Sequence, residues 1–167
     1  HGGGRSAAAA VTPLPPVGEG DHVLGRPDAK LTVVEYGDFG CPHCFAAKLP
    51  IESLLQRYDD LRLVWRHLPD PELHPGADLA AELSELAASQ GKFWEAHSLL
   101  LAGRSAFSVE ELLAAADTLE FEEKAEAALR DRTFRDRVEA DRAGGEAAGA
   151  LGTPTFFIDG ERMTGHW

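Results

Sequence analysis

LTVVEYGDFGCPHC, residues 31–44, decides the fold. Its first six residues, Leu31 to Tyr36, form a nearly continuous β-branched and apolar run, the pattern of a strand covered on both faces. Gly37-Asp38-Phe39-Gly40 breaks that run. Cys41-Pro42-His43-Cys44 then opens a segment in which Leu49, Ile51, Leu54, Leu55 and Tyr58 recur at helical spacing. The order is strand, loop, helix. Pro50 falls inside the helix, where it has no N–H to give and crowds the preceding turn, so a kink is predicted there and not a stop. Leu61 to His67, LRLVWRH, reads as a second strand, and two strands joined by one helix make a parallel βαβ unit.

Farther along, from about Pro75 to Gly149, Ala, Leu, Glu and Arg dominate, with punctuation at Gly91, Gly103 and Ser108. Four or five helices of ordinary length are expected, Ser108 serving as N-cap three residues before Glu111. The strand signal returns at Thr155-Phe156-Phe157-Ile158, followed by the hairpin turn Asp159-Gly160 and a returning strand at Glu161-Arg162-Met163. The fold class is therefore α/β, a sheet split by a helical insertion spanning about 75–149.

A chain of 167 residues, 44% of them hydrophobic, is long enough for one core and short for two. Residues 1–20 are rich in Gly, Ala and Pro with few large side chains, and read as a disordered leader or linker before one domain over 21–167. A formal net charge of -12 with no Lys/Arg cluster excludes nucleic acid as a natural partner. No apolar run approaches the roughly 20 residues that span a bilayer, and no signal peptide is visible.

The only two cysteines are Cys41 and Cys44, too few for a disulfide scaffold or a four-cysteine zinc site. At a helix start the first sulfur meets unpaired backbone N–H groups and the positive end of the dipole, which favour a thiolate at Cys41. Pro42 suits the first helical position, Cys44 lies three residues on and deeper, and a protonated His43 adds positive charge. A low thiol pKa makes Cys41 both attacking group and leaving group and makes the disulfide more oxidising. The rival reading is half a metal site, with His43, His67 or His74 completing it. Glu35, six residues before Cys41 in an apolar strand, is costly to ionise and should have a raised pKa, unless it faces a solvated sheet edge. Trp65, Phe93 and Trp94 read as packing, His97 as a surface helix residue, and Glu120 to Glu126 as a solvated helix face.

YGDFGCPHC, the long helical block and GTPTFFIDG together resemble the DsbA-like thioredoxin-fold family, with Pro-His between the cysteines as in DsbA itself. VVEYGDFGCPHC, RHLP, GKFWEAH and GTPTFFIDG resemble in particular thioredoxin domains fused behind NhaA-type sodium/proton antiporters, over roughly residues 25–167. The resemblance implies a thioredoxin fold with an inserted helical domain. It makes Thr153-Pro154 the cis-proline element, whose threonine offers backbone hydrogen bonds to a substrate strand; on sequence alone a trans proline opening the strand fits equally. It makes Glu35 the proton acceptor for Cys44 as that sulfur attacks a mixed disulfide.

The function expected is disulfide exchange with protein or peptide dithiols, needing no cofactor, through a mixed disulfide on Cys41 resolved by Cys44. Oxidation of substrates is the favoured direction; a reductase, an isomerase and a redox-sensing domain of a transporter are the alternatives. A redox partner protein is implied. A disulfide donor belongs outside the cytoplasm, whereas a transporter fusion can also leave the domain on the cytoplasmic side. Relatives continue past His166-Trp167 into another helix, so a further segment is expected after the hairpin.

Overall fold

Five strands form one sheet in the order β1-β3-β2-β4-β5: β1 His22–Gly25, β2 Leu31–Gly37, β3 Leu61–His67, β4 Thr155–Ile158 and β5 Glu161–Arg162. The computed structural model describes residues 11–164, so the expectations for residues 1–10 and for the chain end at His166-Trp167 lie outside the described residues. β2 and β3 are parallel, joined by α1 (Pro42–Arg57), while β1 on β3 and β4 on β2 are antiparallel. β4 and β5 meet at Asp159 and Gly160, both at positive φ (48° and 88°), the twist that a two-residue hairpin requires.

Between β3 and β4 stand five helices: α2 Ala77–Ser89, α3 Phe93–Leu100, α4 Val109–Thr118, α5 Glu122–Asp131 and α6 Arg135–Ala147. Ser108 caps α4 in a complete capping box, its hydroxyl accepting from Glu111 N–H while Glu111 accepts from Ser108 N–H. α1 runs unbroken through Pro50. Ile51 is buried on it, but Leu49 and Tyr58 are exposed, so the apolar face is narrower than the spacing suggested.

Each face of the sheet has its own core. Val34, Tyr36, Val64 and Phe157 pack on one side, where Ala148 and Ala150, just after α6, join the same cluster. Leu63 and Phe156 face α1, and Trp65, Phe39 and both cysteines join the large cluster filled by the helical insertion. Trp65 and Phe93 are buried and Trp94 half-buried, the packing role expected of them. In the acidic run only Phe121 and Ala125 turn inward.

Two expectations change. Residues 11–20 lack helix and strand, yet they lie against the sheet: Leu14 and Val17 pack on its core, Thr12 N–H donates to Ala147, and Arg66 and Arg137 donate to the carbonyls of Pro16 and Gly20. Proline-rich composition masked a segment whose order comes from two apolar side chains and borrowed hydrogen bonds. Second, β1 was not foreseen. Four residues ending in Gly25 and followed by Arg26-Pro27 carry little strand signal, and β1 is fixed by pairing with β3 and by the Trp94 indole donating to Val23 O at 3.1 Å.

Helix α6 contains Gly145, a residue that costs a helix interior about 1 kcal/mol relative to Ala. The reason is contact: a β-carbon there would lie 2.5 Å from the Tyr36 ring. Gly145→Val should therefore destabilise the fold by about 1–3 kcal/mol, read as a lower urea midpoint at unchanged slope. An unchanged midpoint would contradict the close approach of α6 to β2.

Candidate active site

The loop after β2 is shaped by a buried carboxylate. Asp38 Oδ1 accepts from Gly40 N–H at 2.7 Å, and Oδ2 accepts from Asp70 N–H at 2.9 Å and pairs with His74 Nδ1 at 2.8 Å. The Asp38 carbonyl accepts from Cys41 N–H at 3.0 Å. One side chain thus holds the cysteine loop against the 68–74 loop. Asp38 was not singled out in the sequence, and His74 entered only as one of three histidines in the rival metal reading; an acidic residue between two glycines just before the cysteines was the available signal.

Cys41 is the N-cap of α1 and Pro42 its first residue, so the chain turns into the helix with no N–H wasted. Pro42 and His43 are exposed, while Cys41 and Cys44 are buried free thiols. The hydrogen bond from the Cys44 thiol is the largest influence on Cys41; together with the Thr153 side chain and the backbone N–H groups of Cys44 and His43 it outweighs burial and brings the Cys41 thiol down to about 5. Cys44 moves the other way, far above the ordinary thiol range, because it donates that hydrogen bond and is buried beside Glu35. The Thr153-Pro154 peptide bond is cis, and as a thiol Cys41 Sγ donates to Thr153 O at 3.5 Å. Cys41, Thr153, His43 and His74 line one groove of about 720 Å³, flanked by the exposed side chains of Leu73 and Leu151.

Glu35 stands in the middle of the sheet, opposite Trp65 on β3 and Phe156 on β4, and only 3% exposed. The solvated-edge alternative is thereby excluded. Burial, with a smaller contribution from the Cys41 charge, pushes its carboxyl up to about 8, and Oε2 has no hydrogen-bond partner.

Other histidines are placed differently from the sequence reading. His97 is not on the surface but 5% exposed, walled by Trp65, Trp94 and Phe39; lying four residues after Phe93 and three after Trp94, it shares their helix face, a periodicity that was legible. His67 and His22 both direct Nε2 at Glu85 Oε2, at 2.7 and 2.6 Å, and hold the Glu85 carboxyl well below its usual range in spite of burial. Those three could hold a metal by position. The second shell argues otherwise: His67 Nδ1 accepts from the Trp65 indole, which puts the proton on Nε2, whereas a metal-bound imidazole offers a bare Nε2 and donates its other N–H. Among the described residues neither cysteine belongs to a cluster with ligand geometry, and His67 and His74 are each engaged by a carboxylate.

A titration reads the site directly. In the reduced protein one thiolate should appear with a midpoint near pH 5, and Cys44 should stay protonated through the accessible range. Since the folded value of Cys41 lies below the unfolded one, its stabilisation of the reduced fold is complete above the ordinary thiol range and is lost as pH falls through about 5. A first midpoint near that of a free thiol would contradict the hydrogen-bond arrangement.

A family profile described as Thioredoxin matches residues 18–166. The Na(+)/H(+) antiporter NhaA 1 of Salinispora arenicola is 43% identical over 148 residues, 88% of this chain and 23% of that protein. The antiporter NhaA of Herminiimonas arsenicoxydans is 40% identical over 168 residues, 99% of this chain and 27% of that protein. The chain spans about a quarter of the length of these curated relatives. Among solved structures, oxidised BdbD from Bacillus subtilis superposes with a TM-score of 0.79 at 26% identity, covering 93% of this chain and 90% of that one. A thioredoxin-like oxidoreductase from Silicibacter pomeroyi DSS-3 gives 0.74 at 28%, covering 89% and 85%. With the sheet order, the helical insertion and these matches in agreement, the chain belongs to the thioredoxin family and has the fold of its DsbA-like oxidoreductases.

Proposed function

We propose that this domain is a protein disulfide oxidase working through Cys41 and Cys44. The observation that carries the reading is the opposed displacement of the two thiols: Cys41 is stabilised as thiolate and Cys44 as thiol by one shared hydrogen bond. A stabilised Cys41 thiolate favours the reduced pair, so the disulfide gives itself up readily to a substrate.

The cycle balances as follows. A substrate thiolate attacks Cys41 Sγ of the Cys41-Cys44 disulfide, forming a mixed disulfide and expelling Cys44 as thiolate. Protonated Glu35 gives Cys44 a proton. The second substrate thiol, losing its proton to solvent, attacks the substrate sulfur bonded to Cys41, releasing the substrate disulfide and the Cys41 thiolate. Two electrons have passed to the pair, and a redox partner protein of the disulfide-carrying class must remove them. Run backwards, Glu35 accepts the proton of Cys44 as that thiol attacks the mixed disulfide. While Cys41 is bonded to another sulfur it carries no charge, so Glu35 is then held up by burial alone and ionises more readily.

The groove supports an extended protein segment as substrate. Thr153, beside the cis bond, stands next to Cys41, the exposed His43 lines the same groove, and the exposed Leu73 and Leu151 offer apolar contact along it. No cofactor enters the cycle. The similarity to antiporter-named relatives supports a second reading, a redox-sensing domain that regulates an attached membrane transporter; among the described residues no helix is long and apolar enough to cross a membrane. Disulfide donation favours a location outside the cytoplasm, while the second reading is compatible with the cytoplasmic side of a membrane.

The test is turnover on a reduced peptide dithiol. Oxidised protein should convert it to the disulfide; Cys44→Ser, given the peptide in its disulfide form, should accumulate a mixed disulfide on Cys41 as the Cys41 thiolate displaces one peptide sulfur as thiol; and Cys41→Ser should be inert. Glu35→Gln should slow the reduction of the pair by about a hundredfold, the usual scale of a positioned proton donor. A wild-type protein that leaves the dithiol reduced, or a trapped adduct on Cys44, would refute the proposal.

A further inference from the structure

Buried polar atoms in this fold are satisfied with few exceptions. Among the described residues the unpartnered buried side-chain atoms are two, Glu35 Oε2 on β2 and His97 Nε2 on α3. Leaving such an atom unpaired is costly, so two in one fold ask for a reason. They are not scattered. Both residues line the same small cavity of about 10 Å³, whose other walls are Leu24, Leu63, Ile51, Leu101, Lys48 and Glu52. That volume is about one water molecule, the least that a hydrated cavity needs.

We infer that this cavity holds one water bridging Glu35 Oε2 and His97 Nε2, and that His97 positions this water so that Glu35 can be recharged with a proton from solvent at the Lys48 side. The inference rests on the assignment of Glu35 as proton donor to Cys44. His97 is a positioning residue. Its ring is gripped by the Trp65 face at 4.6 Å, by Trp94 at 4.9 Å and by Phe39 at 5.7 Å, which leaves Nε2 fixed in direction. Burial first, then the charge of Lys48, brings His97 down to about 3, so it stays neutral and anchors the water without storing a proton. The route out passes α1, where Lys48 lies 4.0 Å from Glu52 and both side chains reach solvent.

The proton account is simple. Each reduction of the pair moves one proton from Glu35 to Cys44, and the bridging water supplies its replacement from solvent beside Lys48; when the pair is reoxidised, the proton that Cys44 loses leaves by the same route. The groups that face Glu35 are Cys41, Cys44, Lys48 and Glu52 from the α1 side and His97 from α3, with His67 on β3 and His22 on β1 acting on His97.

The site can be tested in two ways that do not depend on turnover. In a high-resolution crystal structure of the wild-type domain, a water should lie within hydrogen-bond distance of both Glu35 Oε2 and His97 Nε2; no density there overturns the inference. By infrared spectroscopy, the carboxylic C=O band that vanishes in Glu35→Gln should move to higher frequency in His97→Phe, and its titration midpoint should rise by about one pH unit, because the carboxylate loses a solvating partner. His97→Gln, which restores a polar atom, should return both towards wild type. Reduction of the pair at neutral pH should slow about tenfold in His97→Phe, matching one pH unit, while the Cys41 thiolate midpoint stays put. A band and midpoint unchanged in His97→Phe would refute the role of His97. Failure of the wild type to oxidise a dithiol, with the band shift present, would instead refute the redox reading and leave the water site standing.

Discussion

Everything in this site turns on the unequal surroundings of two neighbouring sulfurs. Cys44 lies buried one turn into α1 and Cys41 at the helix start, and the influences that lower the Cys41 thiol are matched by others that raise that of Cys44. The outer sulfur becomes the anion because it alone meets the backbone N–H groups of His43 and Cys44 and the Thr153 side chain. The inner sulfur keeps the proton because burial and the neighbouring Glu35 carboxyl make its ionisation expensive. Reactivity is thus divided between two like residues by depth.

The surrounding fold serves that division. Asp38 fixes the loop before Cys41 with three hydrogen-bond partners and brings the 68–74 loop alongside it. Arg66 crosses from β3 to bind Asp21 and the Tyr36 hydroxyl, and Glu85 gathers His22, His67 and Arg137, so the charges buried between sheet and insertion are compensated. Against this background the unpaired atoms of Glu35 and His97 stand out. Structural charge is paired; the carboxyl oxygen Oε2 of Glu35 is not.

Much of this was legible in the sequence, for physical reasons. A β-branched run, a glycine-bounded loop and a helix beginning Cys-Pro have local signals, and so do the Ser108 capping box and the Asp159-Gly160 turn. Glu35 was readable because a carboxylate in an apolar strand contradicts its surroundings. What escaped depends on partners distant in the chain. β1 exists by pairing with β3 some 40 residues away, and Leu14 and Val17 are ordered by a surface that composition cannot see. His22, Glu85 and Asp38 look like ordinary surface polar residues until the fold brings their partners to them. His97 was misread although its spacing from Phe93 and Trp94 set it on a buried face; residue type was weighed above periodicity.

The most direct test of the divided thiol pair is its reduction potential, obtained by equilibrating the domain against glutathione buffers and following the Cys41-Cys44 thiol state. A thiolate held near pH 5 stabilises the reduced form, so the potential should lie well above the roughly -270 mV of thioredoxin, towards the roughly -120 mV of DsbA. A value at or below that of thioredoxin would mean that the Cys41 thiolate is not stabilised as the structure has it, and would contradict the account of a disulfide donor.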